Sequence, residues 1–159
     1  MSLASETQNP QADAMASPRK RVVVVDDSLT ILHAICSLLE HQDIVEVVGR
    51  AESGPETIEV VTSLRPDVVL MDADMPGMSG LRASLVLSQI APATKVVLMS
   101  MDTTPQFRKA CAGCGAHAVI YKPKFLSELA QVLGEAPMQR QKSFPRRRRK
   151  TNRPVSIMR

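Results

Sequence analysis

Three carboxylates, a hydroxyl and a lysine stand directly behind short apolar runs in this chain, and the reading of its chemistry starts there. Asp26 and Asp27 follow four consecutive valines in R-V-V-V-V-D-D-S, Arg21 to Ser28. Asp72 closes the apolar run of P-D-V-V-L-M-D-A-D-M-P-G-M-S-G, Pro66 to Gly80. Ser100 closes V-V-L-M-S, and Lys122 follows the run from His117 to Tyr121. Short runs of β-branched and aliphatic residues fit fully buried strands. In a parallel sheet the carboxyl ends of such strands share one edge, where open α/β sheets place their ligands. Three carboxylates gathered there repel one another, and a hard divalent cation with oxygen ligands relieves the repulsion. Mg2+ suits the role, since it accepts a few carboxylates, keeps waters and recruits phosphate oxygens. A lysine and a hydroxyl facing the same point supply the charge and hydrogen bond that a phosphoryl group needs. Asp72 taken alone has a lesser reading, in which it simply polarises a strand end or caps a helix. Five such residues at successive strand ends point to a Mg2+ and phosphoryl site.

A second candidate is Cys111-Ala-Gly-Cys114. A reactive C-x-x-C opens a helix, where the positive end of the dipole lowers the thiol pKa. Here the pair precedes Gly115 at the carboxyl end of a helical pattern, where the dipole opposes a thiolate. Metal binding would need two further ligands. Buried small residues are the better reading, with thiol redox chemistry as the rival.

Elements that could position the five residues alternate along the chain. Strands are expected at Arg21–Val25, Val45–Ala51, Asp67–Met71, Lys95–Met99 and His117–Tyr121. The first helix follows Ser28, which can cap it, with Leu32, Ile35, Cys36 and Leu39 facing inward at helical spacing. Ser53-Gly-Pro-Glu56 resembles a capping box with an early proline, so the second helix runs to about Leu64. The third spans Leu81 to Ile90 with Leu81, Leu85 and Val86 inward. The fourth starts at Thr103 or Thr104 before Pro105 and stops near Gly113 to Gly115. The last runs from Phe125 to about Leu133, with Leu126, Leu129, Val132 and Leu133 as its apolar stripe. Strict alternation of this kind predicts an α/β fold, a doubly wound five-stranded parallel sheet with helices on both faces. Its expected flavodoxin-like strand order is 2-1-3-4-5.

At 159 residues the chain is long enough for one domain with a sizeable core. No apolar run approaches the ~20 residues needed to cross a bilayer. The amino terminus has no basic-then-apolar signal pattern, so the expected location is the cytoplasm. Three cysteines make no disulfide framework. The net charge of +4 conceals an acidic body and a basic tail, because Ala136 to Arg159 holds nine Lys/Arg and no acid. Residues 1–19 read as a disordered leader, 20–135 as the folded domain, and 136–159 as a basic, disordered tail.

From Arg21 to Glu135 the chain resembles a response-regulator receiver domain of bacterial two-component signalling. The resemblance rests on V-V-V-V-D-D-S, P-D-V-V-L-M-D-A-D-M-P-G-M-S-G, V-V-L-M-S and Y-K-P, in order and at the family's spacing. It implies that Asp72 is the phosphoacceptor and that Asp27 and Asp72 bind Mg2+ through their side chains. It further implies that Asp26 helps to hold the ion, partly through water, and that Asp74 contributes its backbone carbonyl. Ser100 would be the switch hydroxyl and Lys122 the phosphate-sensing lysine, followed by a cis peptide at Pro123. The implied donor is a sensor histidine kinase or a phosphotransfer protein. The implied output is a shift of the last two strands and helices, the face that meets a downstream protein partner. Such a protein accepts a phosphoryl group and is not a turnover enzyme. Two positions depart from the family. Val119 stands where Tyr or Phe is usual, with Tyr121 as its expected substitute, and Asp74 and Asp102 are both acidic where the family tunes phosphoryl lifetime.

Alternatives remain open at this stage. Asp72-Ala73-Asp74 superficially matches the nucleophile motif of haloacid-dehalogenase-like phosphatases, although Pro76 stands where that motif wants Thr or Val. E-V-V-G-R-A, Glu46 to Ala51, looks like receivers that carry helix-turn-helix outputs, so a fragment of a DNA-binding regulator is a second alternative. Arg146 to Lys150 is either a solvated run, an anchor to a polyanion such as nucleic acid, or a segment that folds back on the acidic body.

Overall fold

The computed structural model describes residues 19–134. The leader, up to its last residue, and the basic tail lie outside them. Five strands alternate with five helices: β1 (Lys20–Val25), α1 (Leu29–Glu40), β2 (Val45–Ala51), α2 (Gly54–Leu64), β3 (Val68–Asp72), α3 (Gly80–Ile90), β4 (Lys95–Ser100), α4 (Pro105–Gly113), β5 (Ala118–Tyr121) and α5 (Phe125–Leu133). A single turn of 3-10 helix, Lys122–Lys124, joins β5 to α5. All strands pair in parallel, in the order β2-β1-β3-β4-β5.

The consecutive valines of β1 are divided between two cores. Val22 and Val24 join Leu70 of β3, Met99 of β4 and the inner faces of α1 and α5. Val23 and Val25 join Met71, Leu98 and the inner faces of α2, α3 and α4. Side chains alternate across a strand, so a strand buried on both faces must be apolar at every position. Each fully buried Val or Leu contributes about 1.5–3 kcal/mol relative to exposure, which makes the central strands the rigid part of the molecule. Buried on both sides, β1, β3 and β4 fix the height at which Asp26, Asp72 and Ser100 emerge.

The expected strand order and the inward stripe of α1 match the structure. Four local expectations are corrected. In α3 the buried positions are Gly80, Ala83, Ser84 and Leu87, while Leu85 is 47% exposed. The helix phase is set by Gly80, which lies so close to the Asp72 carbonyl that a Cβ there would sit on it; that contact turns Leu85 outward. In α5, Phe125 and Leu129 are buried and Leu126 is exposed. Ser28 occupies the N-cap position of α1 without a side-chain cap bond; its own N–H instead donates to Asp26 Oδ1 at 3.0 Å. No cis peptide occurs among the described residues. Pro123 sits in the first turn of the 3-10 helix, a position where its missing N–H leaves no bond unmade.

Candidate functional site

Asp26 follows the last residue of β1, Asp72 is the last residue of β3, and Lys122 is the first residue after β5. The strand order sets β1 and β3 side by side, and the β5–α5 turn carries Lys122 over both. Its Nζ lies 3.0 Å from Asp26 Oδ2 and 3.0 Å from Asp72 Oδ1. Asp26 and Asp72 are buried, whereas Asp27 is exposed at the rim. One carboxylate oxygen from each of Asp26, Asp27 and Asp72 falls within a common 4.8 Å. Three anions thus face a single ammonium, which leaves a surplus of negative charge at the mouth.

The surplus is visible in the acidities. Burial pushes the Asp72 carboxyl above the usual carboxylate range, and Asp26 adds to the rise; Lys122 and the Asp74 backbone amide oppose it without winning. Burial alone would lower the Lys122 pKa, but its bonds to Asp26 and Asp72 hold it above the ordinary lysine value. A hard cation ligated by oxygen is what this donor set fits. It has three carboxylates, two of them in a dry environment, and one lysine that does not neutralise them.

Ser100 is buried at the end of β4. Its Oγ accepts a hydrogen bond from the Asp102 amide at 2.9 Å, so the hydroxyl is engaged with its own loop. Among the described residues, no hydrogen bond joins it to the carboxylate cluster. Asp74 lies in the loop after β3 with its side chain exposed, between buried Ala73 and buried Met75. Val119 and Tyr121 are half-buried on one side of β5, while Ala118 and Ile120 are buried on the other. The Tyr121 amide donates to Glu128 Oε2 at 2.8 Å, which ties the end of β5 to α5 just before Lys122. Glu128 is a residue that sequence reasoning missed. Its seven-residue offset from Tyr121 crosses a turn whose geometry is not readable in advance.

The cysteine pair is not part of the carboxylate cluster. Cys111 and Cys114 are buried, and Cys114 Sγ donates to the Cys111 carbonyl at 3.1 Å. Burial pushes the Cys111 thiol up to about 11, far from the acidic thiols of redox motifs.

Residues 22–134 match the family model described as "Response regulator receiver domain". Over 113 residues the chain is 37% identical to the response regulator GacA of Pseudomonas viridiflava, covering 71% of this chain and 53% of that protein. It is 39% identical over 108 residues to a protein-glutamate methylesterase/protein-glutamine glutaminase of Syntrophomonas wolfei, covering 67% of this chain and 30% of that protein. The crystal structure of the response regulator domain of Thermotoga maritima CheB superposes with a TM-score of 0.67 at 27% identity, covering 76% of this chain and all of that one. The chain spans about half the length of the GacA relatives it matches. The family model and these relatives favour a receiver over the haloacid-dehalogenase alternative.

Proposed function

The chain belongs to the response regulator receiver domain family, and on that premise we propose that Asp72 is the residue that accepts the phosphoryl group. The observation that carries the reading is the buried Asp72 carboxylate, 3.0 Å from Lys122 Nζ and clustered with Asp26 and Asp27. An Asp72 oxygen attacks the phosphorus of the donor, the bond from phosphorus to the donor's leaving group breaks, and an aspartyl phosphate remains. Lys122 is placed to turn from the carboxylates to a phosphoryl oxygen and to neutralise the new charge. Mg2+ bound by Asp26, Asp27, Asp72 and the Asp74 carbonyl would supply the positive charge that lets two anions approach each other.

Ser100 answers next. A phosphoryl oxygen at Asp72 would accept from the Ser100 O–H, and turning Oγ toward it draws the hydroxyl away from the Asp102 amide that donates to it, so phosphorylation shifts the population of β4–α4 loop conformers. The change reaches a downstream protein partner through β4, α4, β5 and α5. The donor is a sensor histidine kinase or a phosphotransfer protein, and the working location is the cytoplasm. Among the described residues no helix is long and apolar enough to cross a membrane. The domain turns over no substrate other than its own phosphoryl group.

Intact-mass measurement after incubation with acetyl phosphate tests the proposal. One phosphoryl group per chain, gained with Mg2+ and not gained in excess chelator, is the expected result. Uptake that is indifferent to the metal would sink the role given to the three carboxylates.

A further inference from the structure

The loop from Ala73 to Ser79 carries Asp74, and it is fastened to the body at four points. The Ala73 amide donates to the Met99 carbonyl of β4 at 2.9 Å, and the Gly80 amide closes the loop on the Ala73 carbonyl at 2.9 Å. Met75 is buried and belongs to the core cluster shared by β1, β3, β4 and the inner faces of α2, α3 and α4. The fourth fastening is Met78, whose side chain lies directly on Gly54, the first residue of α2. A Cβ at Gly54 would stand 2.7 Å from Met78 Cβ, 2.7 Å from its Cγ and 2.9 Å from its Sδ. A χ1 change could carry Cγ and Sδ away, but Cβ is fixed by the backbone, so only a shift of the loop backbone would relieve that contact.

We propose that Gly54 and Met78 are positioning residues for metal binding: Met78, seated on the bare face of Gly54, holds the loop so that the Asp74 carbonyl faces the carboxylate cluster. The inference rests on the metal reading given under Proposed function. It concerns residues that touch neither metal nor phosphoryl group. Asp74 lies between buried Ala73 and buried Met75 and is itself exposed. Its side chain therefore adds no packing, and its peptide depends on the fastenings on both sides together with its amide's contact to the Asp72 carboxylate. The Ala73 and Gly80 hydrogen bonds fix the two ends of the loop, Met75 anchors its near side in the core, and Met78 is the contact that ties its far side to α2. Groups that orient metal ligands from behind typically change affinity by about 10–100-fold when removed.

The test is Mg2+ titration of the full chain, followed by amide chemical shifts and so independent of phosphorylation. Gly54→Ala pushes the loop off its seat, and Met78→Ala removes the clamp without crowding anything. Gly115→Ala is the control, since its Cβ would lie 2.7 Å from Ser88 Cβ, at an equally crowded place away from the site. Both loop variants should bind Mg2+ about tenfold more weakly, while Gly115→Ala stays within about twofold of the unaltered chain even though its melting temperature falls. If Gly54→Ala does not fold, Met78→Ala decides alone. Unaltered Mg2+ affinity in folded Met78→Ala, or an equal loss in Gly115→Ala, overturns the inference while leaving the metal site intact. Failure of the unaltered chain to bind Mg2+ overturns the metal reading and this inference with it.

Discussion

Asp72 and Lys122 are paired at 3.0 Å, yet burial prevails at the acid and the pair prevails at the base. The asymmetry follows from numbers of partners: Lys122 is held by two carboxylates, while Asp72 shares its one ammonium with Asp26. A carboxyl whose folded-state pKa lies above its unfolded value binds more protons when folded. The stability it contributes is therefore present at low pH and lost as the pH rises through the folded pKa. In chelator, Asp72→Asn should melt a few degrees above the unaltered chain at pH 7, and the gap should close below about pH 4. Thermal melts across that range check it, and a lower melting point for the variant at pH 7 would contradict it. Lys122→Met removes the ammonium that holds the Asp72 pKa down, so a carboxyl titration followed by carbon-13 shifts should show that pKa rising further. At this scale much of the site was legible, because a carboxylate after a run of valines can only emerge at a strand end. What could not be read was the sharing of one lysine by two acids, which depends on the path of a three-residue turn.

Between Ser100 and α4 a relay of local bonds replaces packing. The Asp102 amide donates to Ser100 Oγ at 2.9 Å, the Thr104 amide to Asp102 Oδ1 at 2.7 Å, and the Phe107 amide to Thr104 Oγ1 at 3.3 Å. Of the nine residues of α4 only Cys111 is buried, against four in α1. A helix with so small a buried face opens at lower free energy than its neighbours. Hydrogen exchange should accordingly be faster in α4 than in α1, and Ser100→Ala, by orphaning the Asp102 amide, should speed exchange at Met101 to Thr104 further. Adding beryllofluoride with Mg2+ should move the amide shifts of Met101 to Phe107 and of Tyr121; shifts unchanged there would remove the basis for the proposed switch. The α1 stripe was readable because helical spacing alone decides it. The α3 stripe was not, because its phase is set by Gly80 lying on the Asp72 carbonyl, a contact between distant surfaces that no periodicity encodes. Leu126 misled in the same way, since the 3-10 turn before it rotates α5 to bury Phe125 instead.

Taken as a whole, the chain joins an acidic body to the basic run Arg146 to Lys150, which lies outside the described residues. If that run engages a polyanion, retention should be independent of base sequence and fall steeply with salt, since each neutralised phosphate releases counterions. A chain ending at Glu135 should lose retention on a polyanionic matrix at low salt and still accept a phosphoryl group; equal retention of both chains would leave the tail without that role. The separation matters because the matched stretch makes up only about half of the GacA relatives, and their other halves carry nothing over to this sequence. The proposed function turns on one carboxylate, Asp72. The most direct measurement is the intact mass of the full chain and of its Asp72→Asn variant after acetyl phosphate with Mg2+. One phosphoryl group on the unaltered chain and none on the variant is the predicted result, and equal labelling of the two would contradict the account.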